Sequence, residues 1–94
     1  MNLKADDARV SKEVMISVKL PDRDECVSLR AEIRKCELHS KDDAFIYANF
    51  GDYFDLIICR KMPISDQSIS EYESLLHSCL RLGLTPDIRW EIKD

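Results

Sequence analysis

Apolar side chains in this chain recur at two spacings. The order in which those spacings alternate constrains the fold more than any single motif does. Val14, Ile16, Val18 and Leu20 recur every second residue, with Met15, Ser17 and Lys19 between them. That period belongs to a half-buried strand, and the β-branched content agrees with it. Pro21 has no N–H to give to a ladder and closes the strand. Beyond it, Cys26, Leu29, Ile33 and Cys36 fall on one face of a helix. Asp22 stands three residues before Glu25 as an Asp version of the capping box, and Asp24 and Glu25 suit the positive end of a helix dipole. The expected helix covers about 22–38.

The period of two then returns. Ala44 to Phe50 and Tyr53 to Cys59 flank Gly51-Asp52 and read as a β-hairpin. Its register depends on loop length. A two-residue loop pairs Phe50 with Tyr53 and sets Ala44, Ile46, Ala48 and Phe50 on the face of Tyr53, Asp55 and Ile57. A three-residue loop pairs Phe50 with Phe54 and gathers Ala44, Ile46, Ala48, Phe50, Phe54, Leu56 and Ile58 on one face. Counting apolar groups, and avoiding a buried Asp55, favours the three-residue loop, although Gly51 is not at the usual bulge position for it. The expected open face then carries Phe45, Tyr47 and Asn49.

Pro63 closes the third strand. Ser65 and Ser68 are both suited to cap a second helix, and Ile69, Tyr72, Leu76, Cys79 and Leu80 form its apolar stripe. Gly83 suits a C′ position and Pro86 prevents continuation, so the helix is expected over about 66–82. Ile88, Trp90 and Ile92 alternate with Arg89, Glu91 and Lys93 in a last strand. The order is strand, helix, strand, strand, helix, strand. With right-handed crossovers it builds an α+β, ferredoxin-like βαββαβ sandwich, a four-stranded antiparallel sheet with two helices on one face. The first and third strands are expected to be central and parallel to each other, with the second and fourth as edges. Residues 1–12, polar and mixed in charge, are expected to form a flexible N-terminal arm before a single domain over 13–94.

The chain has 94 residues, with 14 Lys+Arg against 18 Asp+Glu, a net charge of −4. One domain fits that length, and the acidic balance argues against a broad phosphate-binding surface. No run of apolar residues is long enough to span a bilayer, and the first residues do not read as a signal peptide. A cytoplasmic location is the expectation, with Cys26, Cys36, Cys59 and Cys79 as reduced thiols that pack as small hydrophobes.

Chemistry-bearing patterns are sparse. The cysteines contain no Cys-x-x-Cys pair. Cys36 with His39, and His77 with Cys79, are expected near one end of the molecule, but they fall short of four converging ligands, so no metal and no cofactor is expected. Cys26 lies in the first turn of a helix, where Asp22, Asp24 and Glu25 oppose a thiolate. The paired carboxylates Asp6-Asp7, Asp24-Glu25 and Asp42-Asp43 sit in polar stretches that favour capping and solvation over acid catalysis. No glycine-rich loop precedes a helix. RNA-recognition domains share the expected topology, but the open face of the central strands here lacks their basic and aromatic pattern and includes Asp55. A non-enzymatic chain without nucleic-acid or membrane partners is therefore expected.

What remains is surface. Met15, Phe45, Tyr47, Ile57 and Cys59 are expected to form an apolar patch on the uncovered sheet face, rimmed by Arg89, Glu91 and Lys93, as protein-binding surfaces are. The expected function is protein association through that face or an edge strand, either as a homodimer or with another protein as binder or inhibitor. The alternative is a regulatory module that senses a small metabolite at a dimer interface.

Overall fold

Strand β1 (Ser11–Leu20) runs through the middle of the sheet. It pairs on one side with β3 (Phe54–Pro63) and on the other with β4 (Ile88–Ile92), and β2 (Ala44–Asn49) pairs with β3 at the far edge. Helix α1 (Arg23–Arg34) follows β1 and helix α2 (Asp66–Cys79) follows β3. The structure, a computed structural model, describes residues 11–36, 40–81 and 83–93. Its element order and its antiparallel sheet order, β2-β3-β1-β4, make it an α+β ferredoxin-like sandwich.

Every second residue of β1 enters the core. Val14, Ile16, Val18 and Leu20 are almost wholly buried, and register places Ile16 beside Ile58 of β3 and Trp90 of β4. Helix α1 lays Cys26, Leu29 and Ile33 on this face, and α2 adds Tyr72 and Leu76. Both helices therefore roof the same side of the sheet. Local chemistry starts each helix. The Asp22 carboxylate accepts from Glu25 N at 2.9 Å, and Ser65 Oγ accepts from Ser68 N at 3.0 Å, each answering an otherwise orphaned first-turn amide. Ser65 rather than Ser68 is the second cap.

Several expectations change. The first and third strands are central but antiparallel, with Val14 opposite Arg60 and Val18 opposite Leu56. The crossover through α1 makes β1 and β2 point the same way, and the hairpin then reverses β3 against both. Strand β1 begins at Ser11, so Ser11 and Lys12, expected in the arm, pair with Pro63 and Met62. Residues 1–10 of that arm lie outside the described residues, as do residues 37–38 at the expected end of the first helix. Helix α2 stops earlier than expected. Leu80 takes an extended conformation (φ −76°, ψ 149°) and packs against the core. Gly83, at φ +94°, serves instead in a turn closed by Leu84 N donating to Arg81 O at 3.1 Å.

The hairpin takes the two-residue loop. Phe50 N donates to Tyr53 O at 2.9 Å, and Asn49 lies opposite Phe54, Tyr47 opposite Leu56 and Phe45 opposite Ile58. Gly51 has φ +89° and Asp52 has no positive φ, the pattern of a type II′ turn, whose twist suits a two-residue hairpin. Phe45 and Tyr47 therefore lie on the helix side. The Arg30 guanidinium lies 5.5 Å from the Phe45 ring and Arg23 5.3 Å from that of Tyr47. Counting apolar residues misled because the uncovered face also buries side chains. Asp55 is only 3% exposed there, held by an ion pair with Arg89.

The Cys26 thiol is buried beneath α1. Burial pushes its pKa from 9.0 up to about 11, and the carboxylates of Asp22 and Asp55 push the same way. An unfolded chain releases this proton near pH 9, while the folded chain keeps it until about pH 11. In that interval the folded state binds more protons, so stability falls as pH rises. Urea unfolding of the parent chain is expected to lose more stability between pH 9 and pH 11 than that of Cys26→Ala. Parallel pH profiles for the two chains would show that the thiol does not titrate differently on folding.

Candidate interaction surface

The uncovered face of the sheet presents the odd residues of β1, β3 and β4 and the even residues of β2. Of the residues expected to form a patch, Met15, Ile57 and Cys59 lie here and are half-buried, whereas Phe45 and Tyr47 lie on the opposite side. The expected five-residue patch is therefore not assembled. Ile46 and Phe50 take the two vacated places. They are 49% and 54% exposed, the largest values among the exposed large hydrophobic residues described.

Along β2 this face carries Ala44, Ile46 and Ala48, continued by Phe50 beyond the strand end. The Phe50 ring stacks on Tyr53 with centroids 5.0 Å apart and planes 15° apart. Lys19 places its ammonium 4.4 Å from the Tyr53 centroid, a cation–π contact that closes this end of the strip. Next to the apolar strip, Ile57 and Cys59 of β3 and Met15 of β1 extend it towards the centre of the sheet. Glu91 and Lys93 edge the far side, with Arg89 leaning inward to Asp55.

The Asp55–Arg89 pair crosses β1. Lys19 stands opposite Asp55 in the ladder and Ser17 stands opposite Arg89, so the guanidinium reaches diagonally over the small Ser17 side chain. A bulky residue at 17 would close that path. The pair leaves Asp55 Oδ1 without a hydrogen bond among the described residues, so Arg89 carries the compensation for this buried carboxylate.

At the other end of the face lies a depression of about 530 Å³. Met15, Cys59, Lys61 and Lys93 line it together with Asp42 and Ala44. Behind it, on the helix side, sits a feature that sequence reading missed. Arg60 occupies a core-facing position of β3, with its Nε 3.7 Å from Asp43 Oδ1 and its guanidinium 4.5 Å from the Tyr72 ring. Asp43 also fixes its own loop, accepting from Ser40 N at 3.2 Å. Burial raises the Tyr72 phenol pKa, while Arg60 opposes that shift. The signal was available in principle: a cation at an even position of a strand whose other even positions are apolar needs a partner.

Cys36 and Cys79 do come together, with Sγ atoms 3.5 Å apart, while His77 is exposed and His39 lies outside the described residues. Among the described residues no group of three His, Cys, Asp or Glu side chains converges as metal ligands would. No described helix is long and apolar enough to cross a membrane. The chain matches no protein-family model and no curated protein sequence.

Arg89→Ala strips Asp55 of its partner while leaving the carboxylate buried. The expected cost is about 1–3 kcal/mol in chemical denaturation. Adding Asp55→Asn should recover part of that loss, since the uncompensated charge is then removed. Simple additivity of the two single changes would show that the side chains are not coupled.

Proposed function

We propose that this chain is a small, non-enzymatic protein-interaction domain that takes an extended segment of another polypeptide along edge strand β2, with the apolar strip of Ile46, Phe50, Ile57 and Met15 as adjoining contact surface. The observation that carries this reading is the composition of that edge. The strand reads Ala44-Phe-Ile-Tyr-Ala-Asn49, with no charge, no proline and no glycine. Edge strands are ordinarily protected by such residues or by bulges, because an open ladder recruits further strands. The opposite edge, β4, follows that practice with Arg89 and Glu91. Ladder alternation supplies the backbone chemistry. Phe50 and Tyr53 are a hydrogen-bonded pair, so two and four residues on, Ala48 and Ile46 turn their amides towards β3, and Asn49 and Tyr47 turn theirs away from it. A polypeptide strand matches that arrangement, as in β-augmentation. A second copy of this chain offers one, in antiparallel self-pairing of β2, and so does an extended segment of another protein. A net charge of −4 gives modest steering towards a basic partner.

Ile46→Lys tests the reading, because it sets a charge on the exposed side of the edge. Light scattering during gel filtration, with pull-down by the tagged chain, should show association by the parent and its loss in the variant. The melting temperature should change little, as for surface substitutions of about 0.5 kcal/mol or less. A parent chain that stays monomeric and captures nothing would overturn the proposal, and so would association indifferent to the lysine.

The depression bordered by Lys61 and Lys93 supports the second reading, a regulatory module for a small metabolite. In a thermal-shift screen of metabolites, that reading expects a compound that raises the melting temperature of the parent but not of Lys61→Ala. A screen in which no compound does so counts against it.

A further inference from the structure

Two of the four thiols sit in contact at the same end of the helical layer. Cys79 is the last residue of α2, and Cys36 lies two residues past the end of α1. Their Sγ atoms are 3.5 Å apart although 43 residues separate them in sequence. The other two are held elsewhere. Cys26 is wholly buried under α1, and Cys59 lies on the opposite face of the sheet. The Cys36 thiol also approaches Glu32 O at 3.3 Å, which holds its sulfur over the last turn of α1. Beside the pair a surface depression of about 360 Å³ reaches Cys79, bordered by Glu32, Ser78 and Arg81. The Arg81 guanidinium is anchored there, 3.2 Å from the Glu25 carboxylate.

From this placement we infer that Cys36 and Cys79 form a dithiol modification site that small disulfide oxidants convert into an intramolecular disulfide joining the ends of α1 and α2. Formation of an S–S bond of about 2 Å requires the two sulfurs to close by about 1.5 Å from their present contact. Both residues stand at helix ends, where the backbone has fewer neighbours to hold it than within a helix. The chemistry is two successive exchanges with one small disulfide, RSSR. One cysteine thiolate attacks a sulfur of RSSR, forms a mixed disulfide and releases RS⁻. The second cysteine thiolate attacks the protein sulfur of that mixed disulfide, forms the Cys36–Cys79 bond and releases the second RS⁻. Two protein thiols are oxidised, RSSR is reduced to two thiols, and the two cysteine protons pass to the departing thiolates. Burial pushes the Cys79 thiol up to about 11, with Cys36 adding to the shift, so the exchange is slow at neutral pH and the reduced pair persists between encounters with oxidant. The inference is independent of the edge-strand reading, since neither cysteine belongs to β2 or to the open face.

The test uses the full chain with oxidised glutathione, followed by alkylation and mapping of unreduced peptides. The expected product is a single linkage between the peptides that carry Cys36 and Cys79, reversed by dithiothreitol. The oxidised chain should melt at a higher temperature than the reduced one, because the bridge restricts the unfolded chain. Cys36→Ser and Cys79→Ser should each abolish the linkage, while Cys59→Ser should leave it intact. Stable glutathione adducts without a bridge would overturn the inference, as would linkage through Cys59 or a bridge that lowers the melting temperature.

Discussion

The burial of one side of β1 is the constraint on which the other elements depend. Val14, Ile16, Val18 and Leu20 occupy the centre of the core, and both neighbouring strands take their facing from them. Leu56 and Ile58 of β3, and Ile88 and Trp90 of β4, point inward because they stand opposite Val18 and Ile16. A slip by one residue would expose all four β1 side chains and bury Met15, Ser17 and Lys19 in their place. At about 1.5–3 kcal/mol for each fully buried aliphatic chain, that exchange is comparable to the whole stability of an ordinary domain. The helices follow the same choice of side. The faces of Cys26, Leu29 and Ile33 and of Tyr72 and Leu76 have only this apolar layer to cover, so the other side of the sheet stays open.

Elements governed by neighbours in sequence were legible. The strand period of Val14 to Leu20, the cap at Asp22, the helical stripe from Cys26 to Ile33 and the alternation of Ile88 to Ile92 each rest on residues a few positions apart. The order of those elements was enough for the fold class. Hairpin register was different, because one residue in the turn decides the facing of the whole of β2. Gly51 supplied the decisive local signal, a residue able to take positive φ at the first central position of a two-residue loop. The count of apolar residues outweighed that signal. It assumed that polar side chains in a sheet of this kind lie in solvent, whereas Asp55 is buried on the uncovered face by Arg89, 34 residues away in sequence. Such a partner is invisible to a local pattern. The expected patch consequently lost Phe45 and Tyr47 and left Met15, Ile57 and Cys59 in place.

The two inward-held ion pairs do different work on the two sides of the sheet. Arg60 and Asp43 tie the loop before β2 to β3 on the helix side, and Tyr72 of α2 lies against the guanidinium, so strand, loop and helix share one charged group. Asp55 and Arg89 tie β3 to β4 across β1 on the open side. For buried pairs in general, desolvation offsets much of the attraction, and well-packed apolar residues often serve as well. What these pairs add is a penalty on a wrong register. Moving β4 or the loop to another register would leave a carboxylate buried without its cation, a penalty that apolar packing alone does not impose.

Strand β2 shows how the two sides diverge. On the helix side its aromatics are shielded by cations, with Arg30 over Phe45 and Arg23 over Tyr47. On the open side Ile46 and Phe50 have no comparable cover among the described residues, and Lys19 reaches only as far as the Tyr53 ring. Both arginines are supplied by α1, whose sequence is constrained on its buried face but open to choice elsewhere, so charge on the helix side comes without altering the strand. Lys19 of β1 reaches only the Tyr53 ring, so charge within the strip itself would stand on β2, at Ala44, Ile46 or Ala48, where a lysine would cost the strand little. Its omission there, beside a β4 edge that does carry charge, places an uncharged edge backbone next to the most exposed large hydrophobic side chains among the described residues. The proposed strand pairing at β2 rests on that juxtaposition.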